Sequence, residues 1–313
     1  MFETILVAHR GPLAVRVVRT VQRVGAKAVT VHSDVDDRAL HVTTADESVL
    51  LGPADPARSY LDVDRVVEAA RRTGAQAVHP GCGALAEAAG FAAAVRDAGL
   101  VWVGPDPSRV ARSTGSRGRT GVTVLGSPDG GVVVGEHVVR SSGTAALDES
   151  GPPDESARAA AVRAAAGIAG LVTVELDGDV VRRLVPRLQA GHRVTELVHG
   201  VDLVEQQLLL AAGQPLSCRP GRGVGVAMGA RVYAAGAGQL TAFEIPADVC
   251  VDVGYRKGDR VQPHYDPLLA LVTAHGATRE QALDALRAAV AAFVVRGVDT
   301  NLPALSAALE RTS

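Results

Sequence analysis

The first hundred residues alternate between short apolar runs and segments with helical spacing, and this alternation limits the possible folds more than any other feature. Apolar runs that predict strands lie at residues 4–8, 28–32, 75–79 and 100–103. A helix is predicted after the first run, where Pro12 suits the opening turn because it has no backbone N–H to leave unpaired. Further helices are predicted at residues 64–73 and 86–98. Strands and helices in this order favour an α/β fold with a parallel, helix-covered sheet.

The composition is that of a globular protein and excludes two classes of partner. The 313 residues leave room for two domains or one large one, and a formal net charge of −2 argues against binding to nucleic-acid phosphates. No apolar stretch approaches the length of a membrane span. Cys82, Cys218 and Cys250 form no C-x-x-C pair, which favours a reduced compartment. We therefore expect a cytoplasmic protein that binds neither nucleic acid nor a membrane.

A glycine-rich turn after the strand at 75–79 superficially fits a dinucleotide-binding fingerprint. Its residues are Gly81-Cys82-Gly83-Ala84-Leu85-Ala86, and a helix follows. The turn is not the first one of the sheet, however, and no acidic residue ends the next strand, which runs into Gly104-Pro105. We interpret these glycines as residues of a tight turn.

The chain changes character after Gly104-Pro105. Residues 113–121 and 127–131 are rich in glycine, serine and other small or polar residues, which is typical of a linker and a turn. Beyond them the patterns predict a strand at 132–134, a helix at 154–169, a strand hairpin at 171–185 and a helix at 195–212. Near the C-terminus, Thr278 and Gln281 form a capping box. The buried stripe of the helix that they open consists of Leu283, Leu286, Val290 and Phe293.

Several motifs, each weak alone, together resemble one known family. In the first hundred residues they are Ile5-Leu6-Val7-Ala8-His9-Arg10-Gly11, Val31-His32-Ser33-Asp34 and His79-Pro80-Gly81-Cys82-Gly83. Further along they are Val185-Pro186-Arg187-Leu188-Gln189-Ala190-Gly191-His192, Ala227-Met228-Gly229-Ala230-Arg231 and Pro263-His264-Tyr265-Asp266. The set resembles the biotin carboxylases of acyl-CoA carboxylase systems over nearly the whole chain.

The resemblance implies three domains. Residues 1–105 are expected to form a biotin carboxylase N-terminal domain with an open parallel sheet. Residues 106–204 are expected to be a truncated ATP-grasp remnant, because the glycine-rich, lysine-bearing lid of the family has no counterpart here. Residues 205–313 are expected to form the α+β C-terminal domain.

The departures from the family fall on residues that serve ATP and metal. Arg183, Val185 and Gly191 stand where the resemblance places a metal-binding glutamate, a metal-binding asparagine and a catalytic glutamate. Glu175 lies near the position of the other metal carboxylate, and one carboxylate is a poor site for a hard cation that takes several oxygen ligands. We therefore expect no metal, no other cofactor and no ATP-dependent carboxylation.

Polar residues on the side that faces bicarbonate and biotin are retained, and they form the predicted site. Arg187 and Arg231 are expected to hold negative charge, while His192 and Asp266 are expected to move a proton. The residues expected to contact substrate are Gln189, Tyr265, His264 and Glu196.

Each of these residues also has a purely structural interpretation. Arg187 could pair with Glu196 or Glu205, His192 could be a buried core histidine, and Asp266 could cap a helix.

Two functions of different class remain open. In the first, the chain is an ATP-independent enzyme that performs acid/base chemistry, such as cyclisation, dehydration, isomerisation or decarboxylation, on a small acidic or carbonyl-bearing substrate. In the second, it is a non-catalytic pseudo-subunit that scaffolds or regulates an acyl-CoA carboxylase. The expected partners are accordingly a small-molecule substrate, a second copy of the chain in a homodimer, and carboxylase components.

Overall fold

A computed structural model describes residues 1–110, 120–127, 130–142, 145–151, 154–218 and 223–312. Most of the predicted linker at 113–121 and part of the predicted turn at 127–131 lie outside these residues.

The N-terminal part is the parallel sheet that the sequence predicts. Its five strands are Thr4–Val7 (β1), Lys27–Ser33 (β2), Glu47–Gly52 (β3), Ala77–His79 (β4) and Val101–Trp102 (β5), in the order β3-β2-β1-β4-β5. The covering helices are Gly11–Arg23 (α1), Leu40–Thr44 (α2), Val63–Arg72 (α3) and Ala89–Asp97 (α4). All of the strand pairs are parallel. Strands β2 and β3 lie on one side of β1, and β4 and β5 lie on the other side. The topological switch point of the sheet is therefore between β1 and β4, and ligands of such sheets bind at the carboxyl ends of the two strands that flank it.

The rest of the chain builds one long antiparallel sheet. Its strands are Thr120–Ser127 (β6), Gly130–Ser142 (β7), Ala145–Gly151 (β8), Gly170–Asp177 (β9), Val180–Val185 (β10), Val226–Tyr233 (β11), Cys250–Val253 (β14) and Leu268–Gly276 (β16). They are arranged in the order β10-β9-β6-β7-β8-β11-β16-β14. Because β8 pairs with β11, the strands of the middle segment and those of the C-terminal segment belong to the same sheet.

Two short ladders and five further helices complete the described structure. The ladders pair Gly238–Gln239 (β12) with Arg260–Val261 (β15), and Ala242–Glu244 (β13) with Val294–Arg296 (β17). The helices are Glu155–Ala164 (α5), His192–His199 (α6), Leu203–Ala211 (α7), Arg279–Ala292 (α8) and Leu302–Glu310 (α9). Helix α8 begins at the predicted cap, where the Thr278 side chain accepts from the Gln281 N–H, and it buries Leu283, Leu286 and Val290.

The mixed α/β class and the parallel N-terminal sheet are therefore confirmed, and several details differ from prediction. Residues 120–121 of the predicted linker and 130–131 of the predicted turn lie in β6 and β7, and the strand predicted at 132–134 is part of the longer β7. The helix expected at 195–212 is two helices, because Gly200 adopts φ 60° and ends α6. Strand β3 and helix α2 were not predicted. The helix expected at 154–169 is confined to α5. The domain limits at 105 and 204 stay a prediction.

Candidate functional site

The two parts of the molecule meet at the carboxyl ends of β1 and β4, where the loops place a histidine and a cysteine side by side. His9 follows β1, and its Nε2 lies 3.5 Å from the Sγ of Cys82, which follows β4. Gly81 has φ 70°, and a Cβ at this position would come within 2.4 Å of the His9 ring. A glycine is therefore required here for the close approach of the two loops, in agreement with the predicted tight turn.

Arg187 lies beside this pair, but a carboxylate already holds it. Its Nε donates to Glu87 across 2.6 Å, and Arg183 lies 3.2 Å from the same carboxylate. Burial opposes ionisation of Glu87, yet the hydrogen bond and charge of Arg187 and the charge of Arg183 lower its pKa overall. Arg187 is thus paired, as the structural interpretation held, although with Glu87 rather than Glu196 or Glu205.

Arg231 is held in the same way by Asp148. Its Nη2 and Nε lie 2.7 Å and 3.0 Å from the two carboxylate oxygens, which is a bidentate fork. The Asp148 side chain is 3% exposed and that of Arg231 is 18% exposed. The arginine is therefore the member of the pair that solvent can reach.

Charged side chains around Cys82 influence its thiol. Burial raises the pKa of its thiol to about 12, and the charges of Arg187, Asp266 and Arg231 also act on it. Burial likewise lowers the pKa of His9 to about 4, with Arg187 among the contributing charges. We call His9, Cys82, Arg187, Arg231 and Asp266 the switch-point site. At neutral pH its thiol and imidazole are both uncharged.

His192 and Glu196 lie outside the switch-point site, in a buried ionic network. The His192 side chain is 1% exposed, its Nδ1 lies 3.0 Å from the Gln189 carbonyl, and burial lowers its pKa. Glu196 accepts from Arg16, Arg193 and the backbone N–H of Leu203. The structure therefore does not bring these two predicted residues together with Arg187 and Arg231.

The remaining predicted residues make mainly structural contacts. The Tyr265 hydroxyl lies 2.7 Å from both Ser33 Oγ and the Ala54 carbonyl. His264 is exposed and packs its ring edge against Tyr265.

The last two predicted residues are Asp266, which makes a local hydrogen bond, and Gln189, whose amide nitrogen makes none among the described residues. The Asp266 carboxylate accepts from the Leu268 N–H at the start of strand β16, which is not the helix cap that its structural interpretation expected. Desolvation raises the pKa of Asp266, while Arg10 and Arg231 oppose this. The Gln189 Nε2 is buried and has no hydrogen-bond partner among the described residues.

The positions that serve metal in the family do not fit a cation here. Glu175 stands opposite Arg183 in the β9–β10 ladder, but Arg183 pairs with Glu87, and the buried Oε2 of Glu175 has no hydrogen-bond partner among the described residues. Within the described ranges, no group of three or more histidine, cysteine, aspartate or glutamate residues could hold a metal ion. A magnesium ion needs several oxygen ligands, which a single carboxylate does not supply.

Sequence reasoning missed the two carboxylates that define the site. Glu87 ends the short 3-10 helix Ala84–Glu87, where the resemblance to the family is close, yet nothing in the spacing links it to Arg187, a hundred residues away. Asp148 lies in a stretch without a motif. Strand β8 was not predicted, and β11 was expected only from the resemblance, so nothing in the sequence indicated that the two strands pair.

Comparisons with known proteins agree with this architecture. The biotin carboxylase N-terminal domain matches residues 1–110, and the biotin carboxylase C-terminal domain matches residues 230–313. The chain is 30% identical to the propionyl-CoA carboxylase alpha chain of Ruegeria pomeroyi, over 99% of this chain and 66% of the relative. It is 29% identical to the biotin carboxylase of Halalkalibacterium halodurans, over 97% of this chain and 93% of the relative. The urea carboxylase structure from Kluyveromyces lactis aligns with a TM-score of 0.90 at 31% identity, over 99% of this chain and 31% of that one.

A parallel sheet joined to a long antiparallel sheet, with a polar site between them, is thus an arrangement shared with biotin-dependent carboxylases. The chain belongs to the biotin carboxylase family. It spans 66% of the Ruegeria alpha chain and 58% of the Caenorhabditis elegans one. The Ruegeria alignment extends over 447 positions, well beyond the 313 residues of this chain, as expected where a lid is missing.

These findings overturn the predicted reaction. The relatives are named as carboxylases and biotin carboxylases, so the expectation of an ATP-independent cyclase, dehydratase, isomerase or decarboxylase is wrong. The geometry gives the physical reason: Arg187 and Arg231 are each neutralised by a carboxylate and do not form the free cationic cradle that such chemistry needs. The pseudo-subunit alternative gains no better support from the same relatives.

The sequence predicted no membrane span. In the part of the chain that the structure describes, no helix is long and apolar enough to cross a membrane.

Proposed function

We propose that this chain is a biotin carboxylase-type component of a biotin-dependent carboxylase, and that the switch-point site receives the ureido group of the carrier. The observation that carries the proposal is the charge balance of the site. Arg10, Arg187 and Arg231 each pair with a carboxylate, which is Asp36, Glu87 and Asp148 respectively. A site of this kind does not attract an anion strongly.

A ureido group suits such a site because it carries both kinds of hydrogen-bonding atom. Its carbonyl oxygen accepts, as a partly exposed guanidinium such as that of Arg231 requires. Its N–H groups donate, and the site offers several carboxylate and backbone acceptors. A neutral ligand also leaves the arginine–carboxylate pairs intact, whereas an anion would have to displace one of the carboxylates.

The names of the relatives favour the same class of ligand and partner. They are carboxylase alpha chains, a biotin carboxylase and a urea carboxylase. Other components of an acyl-CoA carboxylase are therefore the partners that we propose for this chain. A homodimer and a cytoplasmic location remain part of the same proposal.

A ligand screen by saturation-transfer NMR tests the proposal. We expect biotin and urea to receive saturation from the protein, and acetate, as a singly charged carboxylate control, to receive none. Binding of acetate but not of biotin or urea would contradict the proposal, because it would show that the arginines are free for an anion. Failure of all three ligands to bind would contradict it as well.

A further inference from the structure

The backbone conformation at Gly191 does not require a glycine. It is the N-cap of α6 and has φ −80° and ψ 11°, angles that other residues adopt without strain. A side chain at position 191 would instead collide with the side chain of Asp148. A Cβ built on Gly191 would lie 2.6 Å from Asp148 Oδ1 and 2.7 Å from its Cγ. A side chain at 191 and the carboxylate of Asp148 therefore compete for the same space.

Asp148 also lies opposite a second glycine. In the β8–β11 ladder it faces Gly229, two residues before Arg231 on the same strand. The resemblance to the family places glutamates at both 191 and 229. With glycine at both positions, Asp148 is the carboxylate that meets the Arg231 guanidinium, and the pair is balanced one to one.

We infer that Asp148 is the positioning residue for Arg231 and that its carboxylate occupies the space that a side chain at position 191 would take. The carboxylate accepts from Nε and Nη2 of the guanidinium and so fixes its plane, and Tyr233 also hydrogen-bonds to this guanidinium. Because the Asp148 side chain is 3% exposed, it acts through Arg231 and does not itself touch the ligand. This inference rests on the proposed function only for the nature of the ligand.

A carboxylate exchange between the two positions tests the inference. The variants are Asp148→Ala, Gly191→Glu and the double variant Asp148→Ala/Gly191→Glu. Asp148→Ala removes the carboxylate that holds Arg231. Gly191→Glu places a side chain against the Asp148 carboxylate. The double variant removes the Asp148 carboxylate and supplies a new one from the N-terminus of α6. The matched control is Glu149→Ala, which removes the neighbouring carboxylate that pairs with Arg279 at 2.7 Å.

Two readouts separate positioning from a merely structural role. The first is the Nε–H resonance of Arg231 in arginine-labelled protein, which a carboxylate partner protects from solvent exchange. We expect this resonance to be lost in Asp148→Ala and regained in the double variant. The second is biotin affinity, which should fall about tenfold in Asp148→Ala and recover in part in the double variant, in line with the loss of a charge-assisted hydrogen bond. Glu149→Ala should change neither readout.

Each outcome tests one part of the inference. An unchanged Arg231 resonance in Asp148→Ala would overturn the inference, as would a double variant no better than Asp148→Ala in that readout. If the wild type binds no biotin but the resonance still follows the carboxylate, the positioning role stands and the proposed function fails. If Gly191→Glu is as stable as the wild type, a side chain at position 191 and the Asp148 carboxylate do not compete for the same space, which would contradict the inference.

Discussion

The Nε of Arg187 donates to the carboxylate of Glu87 across 2.6 Å, which ties the loop after β10 to the short 3-10 helix before α4. A hundred residues separate the two partners. Together with the Arg231–Asp148 fork, this contact makes the switch-point site balanced in charge rather than cationic.

Removing Glu87 should turn the site into an anion receptor. In Glu87→Gln, Arg183 and Arg187 lose their shared carboxylate, so we expect the affinity for acetate or sulfate to rise about tenfold, with the gain falling as salt is added. Calorimetric titration at two ionic strengths measures this. The control, Asp106→Asn, breaks the Arg96–Asp106 pair away from the site and should leave anion affinity unchanged. No gain in Glu87→Gln would mean that the balance of charge does not govern ligand choice.

The buried network around Glu196 should dominate the stability of the junction between the two sheets. Glu196 is 4% exposed and neutralises Arg16, which is also 4% exposed, and Arg193. Glu196→Gln removes one carboxylate from each arginine, but Arg16 keeps Asp202 and Arg193 keeps Asp252, so we expect a loss of about 1.5–3 kcal/mol in the free energy of unfolding.

Urea unfolding measures this loss, and an exposed ion pair provides the control. Lys27 and Glu47 are 45% and 39% exposed, so Glu47→Gln should cost less than about 1 kcal/mol. Equal effects of the two substitutions would show that burial of the Glu196 network contributes nothing special.

Stability should fall as the pH drops below 6.5, because buried histidines are held uncharged. Burial lowers the pKa of His79 and His9 to about 4 and that of His41 to about 3. A histidine in the unfolded chain titrates near 6.5, so the unfolded state binds more protons between these values. The stability is fully present above about pH 6.5 and is lost as the pH falls towards 4, at about 2 kcal/mol per histidine by pH 5.

The measurement is the free energy of unfolding between pH 7.5 and 5 in the wild type and in His79→Gln. The variant should show a shallower slope, whereas His264→Gln, at an exposed position, should keep the slope of the wild type. A flat pH profile in the wild type would contradict the burial of uncharged imidazoles.

The sequence predicted most of the parallel sheet because each of its elements carries a local signal. Apolar runs and helical spacing mark β1, β2, β4, α3 and α4. Strand β3 was missed because it lies at the edge of the sheet and alternates buried with exposed residues, including an exposed Leu50. The break at Gly200 was missed because the apolar pattern continues across it.

The site was harder to predict than the fold because its decisive contacts are not local. The retained arginines were found by their likeness to the family, and their charge suggested an anion cradle. Their partners, Glu87 and Asp148, lie about 80 to 100 residues away in the chain and are brought close only by tertiary structure. His192 is different, because its contacts with the Gln189 carbonyl and with Glu196 lie within four residues of it.

The most direct test of the account is the calorimetric titration of the wild type and of Arg231→Met with biotin. We predict that the wild type binds biotin and that Arg231→Met loses at least about tenfold in affinity, because the ureido oxygen loses its cationic donor. Arg279→Met, which removes a comparable arginine–carboxylate pair from the same sheet, should bind like the wild type. Equal biotin affinity in the wild type and in Arg231→Met, or no biotin binding by the wild type, would contradict the proposed ligand of the switch-point site.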